Sequence, residues 1–493
     1  MLKPLSTDAW NYETAAHLLN RAGFGGPPQE IAKLTDLGRD AALSSLLDYE
    51  KIPDPTPNPE WAVPDLGRAA RVKAMQSMAP EDRRKAQQTE QRTQAQHIIE
   101  LRGWWLNRMA KGPRPFQEKM ALFWHGHFAT SFDKVRNAYF MWRQNELFRR
   151  LATDYWLHLL TEAGKDPAML IWLDQAQSQK KHPNENFARE VMELFALGEG
   201  HYTEKDVTEG ARALTGWSLD RQIEQFVYRP FFHDNGQKTF LGLAGNLSGD
   251  DVMAQIVRQP QAAIFITGKL WNFFAGQVPS PELNNALADA FIANARCFKP
   301  FLRVMFRSEE FYSDAVLRNQ VKSPVQWLVG TARMLQCDLP PDFISGAILR
   351  TLGQDLFAPP NVKGWDGGIT WITTNTLLER YNDAATLVQG TTQQLSASDF
   401  ALRPNGAGGM VQQRAAQRVR LGGVDVDKIL TLDERDNKEK LVAALERRLL
   451  QSTLSNKQDK ALRDFLGSRA KLNDADIRNV IRLVMATPAY QVT

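Results

Sequence analysis

The chain has 493 residues, 43% of them hydrophobic and 24% charged, a balance typical of globular proteins. Its 60 Lys and Arg stand against 56 Asp and Glu, a net charge of +4, and the signs interleave as in Glu81-Asp82-Arg83-Arg84-Lys85. Lacking a large one-signed patch, the chain is not expected to bind nucleic acid.

Helical periodicity dominates from the start. Residues 14–21 predict a short helix closed at Gly23, and Gly23-Phe24-Gly25-Gly26-Pro27-Pro28 a turn. Residues 52–64 hold five prolines and predict an irregular surface loop. Residues 69–111 predict one or two long helices, charged at first and apolar from Ile98. Residues 135–160 extend the pattern, with Tyr139, Trp142, Leu147, Leu151, Tyr155 and Leu159 as core positions. Between 225 and 241 two aromatic-rich runs flank Asp234-Asn235-Gly236. Asn-Gly suits a type I′ turn, so a small β-hairpin inserted in a helical protein is expected there. Helices resume over 250–297 and 324–335. Residues 357–371 read as a loop, and 391–423, rich in Gln, Ser, Thr, Gly and Arg, as a flexible linker. Residues 424–493 predict short amphipathic helices that need a partner surface and dock on the body. The expected fold is therefore mainly α: a large multi-helical body over 1–390 with one inserted hairpin, a linker, and a C-terminal helical subdomain. The two cysteines, Cys297 and Cys337, make neither a disulfide framework nor a cysteine-ligated zinc site. No apolar run reaches the length of about 18 residues that a membrane span needs. The N-terminal residues have no apolar leader, which predicts a cytoplasmic protein as written.

The segment 184–197 carries the strongest functional signal. Asn184 is a good N-cap and Gly198 stands where a helix-terminating glycine belongs. On a helical wheel Phe187, Val191, Leu194 and Phe195 share one face, and Asn186, Arg189, Glu190 and Glu193 share the other. A solvated face with an Arg189–Glu193 pair would account for that stripe, and so would a site. Glu190 and Glu193, three apart, stand close enough for one carboxyl to be held protonated as a general acid or base. Arg189 would hold an anionic group. His125 and His127, two apart, would point the same way in an extended strand, as metal-ligating pairs do, and would diverge in a helix. Asp174 follows an apolar run, and His233-Asp234 sits at the expected hairpin tip.

The order of these motifs resembles the large bacterial family known as domain of unknown function 1800. The resemblance rests on Ala16 through Gly25, Phe123-Trp124-His125-Gly126-His127-Phe128, Pro183 through Phe195, Leu197-Gly198 and Tyr202 through Asp206. Ala211-Arg212-Ala213-Leu214-Thr215-Gly216-Trp217, His233-Asp234 through Lys238, and Asn361 through Trp365 complete it. It implies a helical fold and shared polar positions, with no established activity. Members are often exported, which implies a periplasmic alternative, and often stand beside a sulfatase-like or phosphatase-like protein encoded nearby.

Two functions fit these residues. One is a hydrolase acting on an anionic or carbohydrate substrate. Its catalytic residues would be Glu190, Glu193, Arg189 and Asp174, and its substrate-binding residues Asn186, Arg212 and Trp217. A divalent metal ion on His125, His127, His233 and Asp234 would activate water. The other is a non-catalytic helical binding or escort partner of a second protein. Asn186, Arg189, Glu190 and Arg212 would then belong to a structural hydrogen-bond network.

Overall fold

A computed structural model describes residues 2–390, 392–393, 419–420, 423–469 and 471–493. The linker expected over 391–423 falls almost wholly outside the described residues. Within them the protein is mainly α-helical, and helix boundaries follow local chemistry. The charged stretch after residue 67 makes two helices, Arg68–Gln76 and Pro80–Lys111. Pro80 starts the second at a position where its missing N–H costs nothing. The Arg83 guanidinium meanwhile donates to the Met75, Gln76 and Met78 carbonyls left open by the first. The long helix is exposed over its charged half and buried through Leu101, Trp105, Leu106 and Met109.

The next helix, Pro115–His127, runs through the middle of the core, with every residue from Phe116 to His125 buried. Its Glu118 is an ionic hub. Glu118 accepts from Arg108 Nε at 2.6 Å, Arg149 Nε at 2.7 Å and Trp105 Nε1 at 2.9 Å. Burial works to raise its pKa, but the two guanidiniums outweigh that and hold the carboxyl below its usual range. The hub joins Pro115–His127 to Pro80–Lys111 and to Ala138–Arg150. Beyond Arg150 the helix ends, and the next begins at Trp156–Gly164. Tyr155 stands at that break with 53% of its surface exposed, so it is not the core residue that periodicity predicts.

The β insertion is present in a different arrangement. Trp217–Asp220 pairs with Gln225–Tyr228, and Lys238–Phe240 with Leu243–Gly245, both antiparallel. The two aromatic runs thus never pair with each other across Asp234-Asn235-Gly236. Neither Asn235 nor Gly236 has a positive φ. The two-residue turn instead falls at Leu241 (φ 44°) and Gly242 (φ 81°), which meets the same stereochemical demand one strand later. Asp234 spends its carboxylate on the Gly236 N–H (2.8 Å) and on Arg212, which holds the connection out of a hairpin.

The helices after residue 423 share one hydrophobic core with the rest, through Leu441, Leu445, Ile481 and Val484. Arg448 donates to the Met334 and Ile429 carbonyls, both at 2.8 Å, and Tyr490 bonds Thr331 at 2.6 Å. Arg21, fully buried, gathers the carbonyls of Phe274, Val316 and Thr493 at 2.6–2.9 Å. No helix among the described residues is long and apolar enough to cross a membrane.

Candidate functional site

The segment 184–197 begins as expected. Asn184 caps the helix Glu185–Glu190 by accepting from the Phe187 N–H at 3.1 Å, and its amide donates to the Leu173 carbonyl at 2.7 Å. The α-helix then gives way to a π-helix over Val191–Ala196. Bonding from i to i+5 turns the chain through a smaller angle per residue, so the α-helical wheel holds only to Glu190. Met192 is fully buried in consequence, while Leu194 lies only partly inside.

The wide turn leaves carbonyls open at its end, and side chains from elsewhere close them. Lys269 Nζ donates to Leu194 O at 3.0 Å, His127 Nε2 to Phe195 O at 2.9 Å and Gln261 Nε2 to Leu197 O at 3.1 Å. Burial and the nearby Lys363 push the Lys269 ammonium down to about 8.

On the outer side, Glu190 and Glu193 lie near Arg189, Tyr202 and Glu204. Arg189 does not pair with Glu193. Its fork grips both carboxylate oxygens of Glu204, each at 2.7 Å, and Glu193 accepts from the Tyr202 hydroxyl. Burial, and then the bond to Glu193, raise the Tyr202 phenol to about 12. Half-buried Glu190 is raised above the usual carboxylate range, first by burial and then by Glu193. The arrangement sets two carboxyl groups and a phenol hydroxyl side by side at the protein surface.

The other candidates are not part of this group. Asp174 is exposed in the left-handed region (φ 58°) and pairs with Lys134 at 2.8 Å. It is not among the charges that act on Glu190. Asn186 is exposed, and its side chain makes no hydrogen bond among the described residues. Trp217 is 2% exposed and packs where a Cβ on Gly249 would meet its ring at 2.4 Å. An indole so covered offers no face to a sugar, which corrects its assignment as a substrate platform. Arg212 is already committed: it bonds Asp234 at 2.8 Å, Glu209 at 3.0 Å and Gln237 O at 3.2 Å.

The metal set also separates. The chain stays helical through His127, so the two imidazoles diverge. His125 Nε2 accepts from the Phe357 N–H at 3.0 Å, among the rings of Trp105, Phe357 and Trp365, and burial lowers its pKa to about 3. His127, bound to Phe195 O, is held neutral by burial and then by Lys269. His233, 4% exposed, bonds Thr215 O through Nδ1 at 2.9 Å, and Asp234 clamps Arg212. Among the described residues no group of three or more His, Cys, Asp or Glu is arranged to hold a metal ion.

The profile of the family described as "Protein of unknown function (DUF1800)" matches residues 17–492, nearly the whole chain. The chain belongs to the DUF1800 family. No curated protein and no solved structure matches it. Three of the motifs that suggested DUF1800 meet in space. Gly364, in the left-handed region at φ 88°, sits so close to the Gly126 carbonyl that a Cβ there would lie 2.3 Å away. The Asn361–Trp365 motif therefore closes over the His125-Gly126-His127 motif, whose His127 in turn holds the π-helix.

Three participants escape the sequence pattern. Tyr202 stands in a quoted motif with nothing to mark its reach to Glu193. Glu204 is explained locally by the capped start of the helix Glu204–Ala213, where Thr203 and Asp206 do form a capping box. Lys269 lies in an unremarkable helix, and only its position against a widened turn makes it visible.

Proposed function

We propose that this protein is a non-catalytic helical binding partner, and that the outward face of residues 185–204 engages a second protein. The observation that carries this reading is the inward commitment of the motif residues. His125, His127, His233, Arg212 and Asp234 are all spent on backbone groups or on each other, as in a structural network. What remains outside is an acidic face of Glu185, Glu190, Glu193 and Glu204 around one paired Arg189. Such a face fits a basic patch on a partner and sets specificity and association rate. The family resemblance supplies the partner to try first, the sulfatase-like or phosphatase-like protein encoded nearby. Co-purification of the two should be lost in Glu190→Arg/Glu193→Arg with the melting temperature unchanged. Undiminished capture by that variant would sink the proposal.

One observation favours hydrolysis as a second reading: half-buried Glu190, its pKa raised first by burial and then by Glu193, stands beside a second carboxyl that accepts from the Tyr202 hydroxyl, a grouping that acid–base chemistry can use. Turnover of phosphate, sulfate or glycoside esters that disappears in Glu190→Gln, with folding intact, would select it over the first.

A further inference from the structure

A groove of about 430 Å³ opens between the first turn of Trp156–Gly164, the helix Gly249–Arg258 and the turn that follows Pro281–Ala293. It lies apart from the acidic face: none of Arg189, Glu190, Glu193 or Glu204 lines it. Tyr155, His158, Val257, Arg258 and Arg296 form its walls, and its volume falls within the range of small-molecule sites.

Its two arginines differ from those that bind the core and the acidic face. Arg149, Arg189, Arg212 and Arg333 each grip a carboxylate. Arg258 and Arg296 make no ion pair and no side-chain hydrogen bond among the described residues, and the Nε of Arg296 is buried without a partner. The terminal N–H donors of both guanidiniums are therefore uncommitted and can meet an acceptor in the groove.

The backbone that presents Arg296 is held firmly. Ala295 and Arg296 both adopt left-handed φ, 54° and 55°, which non-glycine residues adopt at some cost. Two bonds keep them there: Arg296 N–H donates to Phe291 O at 2.9 Å, and Arg296 O accepts from the Trp156 N–H at 2.9 Å. Asp154, next to Tyr155, is engaged by His158 Nδ1 (2.8 Å) and by the Tyr155 N–H (2.7 Å), and Asp251, the carboxylate that feels the Arg258 charge, is held by the Ser248 hydroxyl at 2.7 Å. Neither acid forms an ion pair with Arg258 or Arg296 among the described residues. Exposed Tyr155 and Leu157, with buried Val257, supply apolar surface beside it.

We infer that this groove is a binding site for a small organic anion, whose carboxylate or phosphate lies between Arg258 and Arg296 and whose flat apolar body lies against Tyr155. Guanidiniums take both anions through paired N–H donors. The test is a fluorescence titration of the full chain with 1-naphthyl phosphate, 1-naphthoate and the uncharged 1-naphthol. Saturable one-to-one binding of at least one anion is expected, with at least tenfold weaker binding of 1-naphthol; the better of the two anions names the head group. Arg258→Glu and Arg296→Glu should each weaken anion binding at least tenfold, while Arg318→Glu, on a residue that pairs elsewhere with Glu13, should not. Should Arg296→Glu unfold, the exposed Arg258 still carries the test. The inference is overturned by wild-type protein that binds neither anion, by 1-naphthol binding as well as the anions, or by an Arg258→Glu variant that binds like wild type.

Discussion

At the scale of single residues, burial decides what the polar groups do. His125 has chemistry on paper and none to spare in place, because its one lone pair serves the Phe357 N–H. Replacing it by Ala should cost about 2–4 kcal/mol, from a cavity and an orphaned donor; a melting curve unchanged from wild type would contradict that role. Lys119 has the opposite problem, an ammonium in the core with no carboxylate paired to it among the described residues. It bonds Gln326 and lies 4.9 Å from the centre of the Phe24 ring, and burial lowers its pKa from 10.5 to about 7. Between those values the unfolded chain holds the proton and the folded chain does not, so this residue makes stability rise with pH across that window. Below about 7 both states are protonated and the cost of burying the charge is fully present. Lys119→Met should therefore be more stable than wild type at pH 6, by on the order of 2 kcal/mol. The gap should close toward pH 10. Denaturant titrations of both proteins at the two pH values would show it, and a gap independent of pH would refute it.

At the scale of elements, much was legible. Proline at the start of Pro80–Lys111, asparagine before Glu185 and Thr203 with Asp206 act locally, and local signals can be read from one sequence. Residues 225–241 show where that stops. The Asn-Gly pair has the right residues for a tight turn, but Arg212, on a helix far back in the chain, captures Asp234 and opens the turn out. The π-helix was hidden for the same reason. Its hydrogen bonds to Lys269, His127 and Gln261 come from segments 64 to 75 residues away, and nothing within 191–196 announces them. The acids and the arginine of the candidate site were legible as a stripe; their partners Tyr202 and Glu204 were not. Lys269→Met, which removes one donor from the π-helix, should cost about 1 kcal/mol. It should also speed hydrogen exchange at the amides of 192–198 before those of the Glu185–Glu190 helix. Uniform exchange across both would show that the lysine does not support the turn.

At the scale of the whole molecule, buried charges tie distant segments together. Arg21 binds the Thr493 carbonyl, and Glu118 draws Arg108 and Arg149 together from helices on either side of its own. Neutralising one member of such a hub strands the others in a medium of low dielectric. Glu118→Gln should thus lose about 3–5 kcal/mol, well above the loss from Glu204→Gln at the exposed, solvent-screened Arg189 pair, which should barely move the unfolding midpoint. Chemical denaturation of both variants would test the ranking. Because the helices after residue 423 share the same core, far-ultraviolet and tryptophan signals should fall together.

The widened turn at Val191–Ala196 has a counting consequence. A stretch bonded from i to i+5 holds one residue more than an α-helix closing the same turn. Deleting Met192 alone should let the segment rewind as ordinary helix rather than tear it open. The rewound helix would swing the Phe195 carbonyl away from His127 and carry Glu193 off its place beside Tyr202. A chain one residue shorter would keep its shape and lose its acidic pair.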